Sequence, residues 1–242
     1  MEKENIINVM KRYELKYYLS KDQLIYFQKE IARYMKVDKY WLTSIASLYF
    51  DTPTYSLINK SIEKPYFKEK IRLRSYGLAN ITSPTYLEVK RKCEGIVYKR
   101  RVRLLEDEAY SLIKDKESKN DDQIARELEF FMNNYSNLEA KYLIIYDRLA
   151  YYQDNSDLNL HTSLEGIPLF KEEGAILEIK VQHSVPLWLV EILTKGHIYQ
   201  TSISKVGVAH KLELAKAHKE VNHLLINQKT RGLGGYQYGF TI

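Results

Sequence analysis

Five short stretches place Lys, Arg and Glu in alternation with apolar residues. They are Arg12-Tyr13-Glu14-Leu15-Lys16, Lys70-Ile71-Arg72-Leu73-Arg74, Leu87-Glu88-Val89-Lys90-Arg91-Lys92, Lys99-Arg100-Arg101-Val102-Arg103 and Leu177-Glu178-Ile179-Lys180-Val181. Successive side chains of a β-strand point to opposite faces. Lys70, Arg72 and Arg74 therefore share one face, with Ile71 and Leu73 on the other. A solvated strand face usually mixes Thr, Ser, Gln, Lys and Glu, whereas these faces are nearly all cationic with a glutamate beside them. Such faces make sense when they converge on one polyanion.

The basic balance leaves nucleic acid, a membrane surface and phosphorylated small molecules open as partners, and phosphoryl groups suit this set. Their charge spreads over several oxygens, which Arg meets with a planar fork and Lys with a movable point charge. A lumen carrying Lys16, Lys70, Arg72, Arg74, Lys90, Lys92, Lys99, Arg101, Arg148 and Lys180 repels itself when empty. Two like charges ~4 Å apart cost about 4 kcal/mol at an effective dielectric near 20. Water, the neighbouring glutamates and a bound polyanion must offset that cost. Glu14, Glu88 and Glu178 are the acidic members of the same faces. A hard divalent cation bridging phosphates needs only one or two protein carboxylates, and each glutamate reads equally as an internal partner of a nearby Arg or Lys.

Other chemistries find little support. There is no G-x-x-x-x-G-K-[ST] loop and no dinucleotide fingerprint. The six histidines show no ligand spacing, and Ser184 and Ser204 lack a nucleophile-elbow context. The single cysteine, Cys93, excludes an internal disulfide and a Cys-based zinc site. The 21 tyrosines are not framed by an RNA-binding pattern, so wall packing is the expected use. A net charge of +6 favours anionic partners. No stretch approaches the ~20 apolar residues of a membrane span and none resembles a signal peptide, so a cytoplasmic protein is expected.

The elements that position these residues follow from periodicity. Strands are expected over 6–18, 43–51, 66–76, 85–92, 96–104, 141–152, 158–162 and 175–182. Ser20 and Gln23 form a capping-box pattern that opens a helix to about Lys36, with Leu24, Phe27, Ile31 and Tyr34 as its apolar stripe. Pro53 suits the first turn of a short helix to about Ile62. Helices are also expected over 106–115, 121–134, from Pro186 to about Thr194, and from Ser204 to about Leu225. In the last, Val208, Leu212, Leu214 and Ala215 are the buried candidates. Residues 1–228 read as one domain, followed by a mobile Gly-rich tail at 229–242. Sequential hairpins with helices at the sides indicate an α+β fold built on an antiparallel closed sheet.

These residues resemble a known family. The sequence from about Lys11 to Lys211 is similar to the VTC-type polyphosphate polymerase domain, a branch of the CYTH, or triphosphate tunnel, superfamily. The matching stretches are Arg12-Tyr-Glu-Leu-Lys16-Tyr17, Leu48-Tyr-Phe-Asp-Thr52, Lys70-Ile-Arg-Leu-Arg74-Ser-Tyr76 and Leu87-Glu-Val-Lys-Arg-Lys92. They continue with Lys99-Arg-Arg101, Tyr146-Asp-Arg148, Leu177-Glu-Ile-Lys180 and Ser204-Lys205. The resemblance implies an eight-stranded antiparallel β-barrel tunnel with flanking helices that binds triphosphate inside. It implies transfer of the ATP γ-phosphate onto a growing polyphosphate chain, with Mn2+ or Mg2+ held by Glu178 and with Glu14 and Glu88 as further candidates. Carried over by motif, Arg72, Arg74, Arg148 and Lys205 act on the transferred group. Lys16, Arg12, Lys70, Lys90, Lys92, Lys99, Arg101, Lys180 and Ser204 bind substrate. The partners implied are ATP and polyphosphate or triphosphate, with no nucleic acid and with a membrane protein as an open possibility.

Two positions depart from that pattern. Asn159 stands where the family carries a tunnel arginine, and Val206 where it carries Tyr after Ser-Lys. Losing one preorganised donor costs about 10²–10³ in turnover. A triphosphatase and a catalytically silent polyanion-binding module therefore stand beside the polymerase.

Overall fold

The computed structural model describes residues 13–63, 65–77, 82–94, 96–116, 123–135, 137–153, 159–164 and 174–216, with the side chains of 40, 41 and 159–164 excepted. The start of the first expected strand, Arg12, the end of the last helix and the Gly-rich tail lie outside the described residues.

The chain order is β1 (Tyr13–Ser20), α1 (Lys21–Ile31), β2 (Lys36–Asp51), α2 (Ser56–Glu63), β3 (Phe67–Tyr76), β4 (Pro84–Cys93) and β5 (Ile96–Leu105). It continues with α3 (Glu106–Asp115), α4 (Gln123–Asn133), β6 (Glu139–Tyr152), β7 (Asn159–Leu164), β8 (Gly174–Val181), α5 (Leu187–Lys195) and β9 (Gln200–Thr201). A helix over 205–216, α6, follows. The strands form one sheet in the order β5-β4-β3-β2-β6-β7-β8-β1-β9, every pairing antiparallel.

The sheet is curled on itself. Lys90 of β4 is ion-paired with Glu14 of β1, although five strands separate β4 and β1 in the sheet order. Cα atoms of β5 and β1 also approach within 8 Å. Only a strongly coiled sheet brings such distant strands together.

The two faces divide the chemistry. Ile71, Leu73, Leu87, Val89 and Val102 point outward and are buried under α3 and α4 by Ala109, Leu112, Leu128, Phe131 and Met132. On the opposite flank, Leu177, Ile179 and Val181 of β8 and Leu19 of β1 pack under Phe27 and Ile31 of α1 and Leu189 and Ile192 of α5. With helices covering the apolar outside, the charged faces of β1, β3, β4, β5 and β8 are turned inward. A third cluster, Tyr49, Ile58, Ile144 and Val206, packs α2 and α6 against β2 and β6.

Ser20 caps α1 as the sequence indicates, its Oγ accepting from Gln23 N while Gln23 Oε1 accepts from Ser20 N. The helix stops at Ile31, whose carbonyl accepts from Tyr34 N and Met35 N. Tyr34 thus leaves the expected stripe and stacks on Trp188, with ring centroids 4.3 Å apart. The chain re-enters the sheet at Lys36, and β2 runs longer than expected with a register shift between Val37 and Leu42.

The helix after β2 is set by Asp51 more than by Pro53. The fully buried Asp51 carboxylate accepts from the backbone N–H groups of Thr52, Leu57 and Ile58 at 2.7, 2.9 and 2.7 Å. In α6 the expected inward face was misassigned. Val206, Gly207 and His210 are buried, whereas Leu212 and Leu214 are exposed. The first turn follows β9 into the sheet's interior, which rotates the 206–210 side chains onto the core. The two-residue β9, absent from the expectations, pairs with Lys16 and Tyr17 and is too short to leave a periodic signal. Among the described residues no helix is long and apolar enough to cross a membrane.

Asp51→Ala strips three backbone donors of a charged acceptor. Hydrogen bonds to charged groups contribute about 1.5–3 kcal/mol each when buried, and neighbours do not add fully, so a loss of roughly 2–4 kcal/mol is expected in urea-unfolding midpoints.

Candidate functional site: a cationic inner face

Glu88 of β4 organises one half of the interior. Its side chain is 1% exposed and receives Arg72 Nε and Nη2 at 2.9 and 2.8 Å, Lys99 Nζ at 2.5 Å and, more loosely, Arg74 Nη1 at 3.8 Å. The register explains the convergence, because Glu88 lies opposite Arg72 on β3 and Arg101 on β5. Burial alone would raise the carboxyl pKa. Arg72, Arg74 and Lys99 outweigh it and hold Glu88 well below the usual carboxylate range. Burial pushes Lys99 down to about 8 despite its ion pair with Glu88.

Neutral groups complete the grip on the arginines. Arg72 Nη1 donates to Tyr49 Oη at 3.0 Å, and Arg74 donates to Ser47 Oγ and Tyr146 Oη, each at 3.3 Å. Tyr49, Ser47 and Tyr146 were not among the candidates drawn from sequence. Ser47 and Tyr49 share the inward face of β2, but no charge between Leu42 and Phe50 draws attention to the alternation. Arg148, two residues beyond Tyr146 on the same face, has a buried Nε with no hydrogen-bond partner among the described residues.

Glu14 and Glu178 organise the other half. On the β1–β8 ladder Glu14 lies opposite Lys180 and Lys16 opposite Glu178, giving a checkerboard of charge. Burial works to raise Glu178, but Lys180, Lys16, Lys90 and Lys205 hold it far below its ordinary range. Glu14 is lowered too, with burial and the neighbouring Glu178 opposing and Lys90 and Lys180 prevailing. Lys70 sits among Lys16, Lys90 and Lys68, and burial together with these like charges pulls its pKa well down.

The chain entering α6 reaches into this group. Lys16 Nζ donates to the Ile203 carbonyl at 3.2 Å, and Lys70 Nζ donates to Ser204 Oγ at 2.7 Å. Ser204 Oγ also accepts from Gly207 N, capping the helix. Lys205 Nζ lies 4.4 Å from the Tyr146 ring centroid. Val206 is buried in the apolar cluster with Tyr49 and Ile144.

The sequence-derived set is therefore largely gathered in one place. Lys16, Lys70, Arg72, Arg74, Lys90, Lys99, Lys180, Ser204 and Lys205 share the interior with Glu14, Glu88 and Glu178. Arg101 stands apart, its guanidinium 5.0 Å from the Tyr86 ring centroid. Lys92 lies opposite Lys68, farther along the same face. Position 159 pairs through its backbone with Lys180 and Tyr152, the place where the family pattern calls for arginine. The intervening cations of these strands face outward, where Arg91 meets Glu69 and Arg100 meets Glu127, each at 2.5 Å. Among the described residues no group of three or more His, Cys, Asp or Glu side chains could hold a metal alone. Glu14 and Glu178 supply carboxylate oxygens, the donor type that a hard divalent cation takes.

The chain belongs to the VTC domain family, whose pattern matches residues 11–212. Members of the family generally use divalent cations. In structure the chain is similar to a Bacillus halodurans protein provisionally assigned as an adenylate cyclase, with a TM-score of 0.54 at 15% identity, covering 82% of this chain and 96% of that one. It is also similar to the PH1819 protein of Pyrococcus horikoshii, with a TM-score of 0.48 at 13% identity, covering 83% and 98%. A sequence search among curated proteins gave no match. The likeness to the Bacillus halodurans protein is one of fold, a curled antiparallel sheet with flanking helices.

Glu88→Gln keeps shape but leaves Arg72, Arg74 and Lys99 facing one another. Breaking a buried ion pair on one side costs about 3–5 kcal/mol. Thermal unfolding should show that loss, and inorganic tripolyphosphate should raise the variant's midpoint more than the wild type's. An equal rise in both would mean that these cations do not share a ligand. A pH profile gives a second check. A polyanion favours charged Lys99, so above pH 8 binding must take up a proton. Tripolyphosphate affinity should fall with rising pH by up to about tenfold per unit, and Lys99→Arg should flatten the profile.

Proposed function

We propose that this chain is a polyphosphate polymerase-like phosphotransferase that moves the γ-phosphate of ATP onto a growing polyphosphate chain inside a basic tunnel. The observation that carries the reading is the convergence of cations from β1, β3, β4, β5, β8 and the start of α6 on one interior face, in a member of the VTC domain family. In this reading β1 to β8 act as the eight-stranded wall of a tunnel, with the β5–β1 approach as its seam.

The chemistry asked of the protein is positional and electrostatic. A terminal oxygen of the acceptor chain attacks the γ-phosphorus in line as the bond to the β–γ bridging oxygen breaks, and ADP leaves. Arg72 and Arg74, held by Glu88, Tyr49, Ser47 and Tyr146, grip non-bridging oxygens without reorganising. Arg148 brings a donor that has no competing partner among the described residues. Lys16, Lys70, Lys90, Lys99 and Lys180 neutralise the rest of the chain, and Lys205 faces the transferred group. Glu178 and Glu14 would hold Mn2+ or Mg2+, which would supply charge neutralisation to the phosphates. No side chain forms a covalent intermediate. The reaction is placed in the cytoplasm, where ATP is supplied, with a membrane protein as one taker of the product.

Position 159 favours a second reading on the same scaffold. With asparagine where the pattern calls for arginine, the γ-phosphate passes to water, or the triphosphate is bound and not turned over. Incubation with ATP and Mn2+ or Mg2+, resolved on a polyacrylamide gel, separates the three. A ladder of polymer is the expected outcome, free phosphate alone means a triphosphatase, and tight binding with neither means a silent module. Arg72→Ala should lower turnover by about 10²–10³ in either active case.

A further inference from the structure

Resting on the tunnel reading, we propose that Tyr76, supported by Tyr86 and Arg101, forms a base-stacking subsite that makes this tunnel receive a nucleoside triphosphate rather than a bare phosphate chain. Along β3 the inward column reads Lys70, Arg72, Arg74, Tyr76, each step being two residues or about 7 Å. On β4 the antiparallel column places Lys90 opposite Lys70, Glu88 opposite Arg72 and Tyr86 opposite Arg74. On both strands charge gives way to an aromatic ring at the same end of the column.

At that end α6 contributes the Lys205 side chain, which lies over the Tyr146 ring. Tyr49 pairs with Arg72 on one side and Tyr142 on the other, and this is the level at which Val206, His210 and Tyr55 are packed. Ile45 pairs with Tyr76 and Tyr146, two register steps farther along. Tyr76 keeps 41% of its surface exposed there.

The rings are arranged to present a π surface. Tyr76 and Tyr86 meet edge to face, with centroids 5.7 Å apart and planes at 75°. The Arg101 guanidinium covers the Tyr86 ring at 5.0 Å. Arg101 is thereby held at the rim as a stacked cation, which is a role unlike that of the phosphate-gripping Arg72 and Arg74. One β3 step of about 7 Å separates Arg74 from Tyr76, so a nucleotide whose phosphates lie along the arginine column reaches the ring with its base. Every base has a π-face, so the subsite recognises a nucleoside without choosing strongly among bases.

The test is titration calorimetry of the full chain with ATP and, separately, inorganic tripolyphosphate. Tyr76→Ala should weaken ATP by about tenfold, the usual scale for loss of one base–aromatic stack, and leave tripolyphosphate within about twofold by the same reasoning. Tyr76→Phe should keep ATP affinity, and GTP should behave like ATP. An equal loss for both ligands in Tyr76→Ala, or no loss for either, overturns the base subsite while the tunnel reading stands. Wild-type protein that binds neither ligand overturns both.

Discussion

Three inward carboxylates keep many of the interior cations from their neighbours. Glu88 holds Arg72 and Lys99 and draws on Arg74, while Glu14 and Glu178 sit among Lys16, Lys90 and Lys180. Without these anions the interior would be a set of like charges in a poorly solvated space, and the sheet could not stay curled around them. The three glutamates are too few to cancel the cations around them. The residual field is positive, and it points at the space the sheet encloses.

The outside of the sheet makes that arrangement possible. Helices α3 and α4 cover one flank and α1 and α5 the other, so the apolar faces find their burial outside the curl. This reverses the usual plan of an antiparallel sheet, in which the apolar face meets the core and the charged face meets bulk water. The reversal costs solvation of the charged groups. It gains a row of donors fixed by register, since each pair of opposed strands sets the next cation at a known height.

Much of this was legible in the sequence because it lives in two periodicities. The alternation in Lys70–Arg74 and Leu87–Lys92 fixes which residues share a face, and the chain's order of hairpins fixes which strands are neighbours. Ser20 and Gln23 announced α1 for the same local reason. What escaped is what depends on tertiary context. Asp51 looks like any strand-ending carboxylate until Leu57 and Ile58 turn their amides onto it. The buried face of α6 is set by its entry into the curl and not by its own hydrophobic spacing, so Leu212 and Leu214 were taken for core. Ser47, Tyr49 and Tyr146 are neutral, and only the coordinates reveal that Arg72 and Arg74 lean on them. Nor does the place of Arg101 on an alternating strand reveal the Tyr86 ring beside it.

The tie between β1, β3 and the approach to α6 has a further consequence. Lys16 and Lys70 each donate to that approach, one to the Ile203 carbonyl and the other to the Ser204 hydroxyl. An anion that recruits either ammonium group therefore competes with the segment for the same protons. Occupancy of the interior and anchoring of the helix are thermodynamically linked through these two side chains, so tightening one loosens the other unless the lysines can serve both at once.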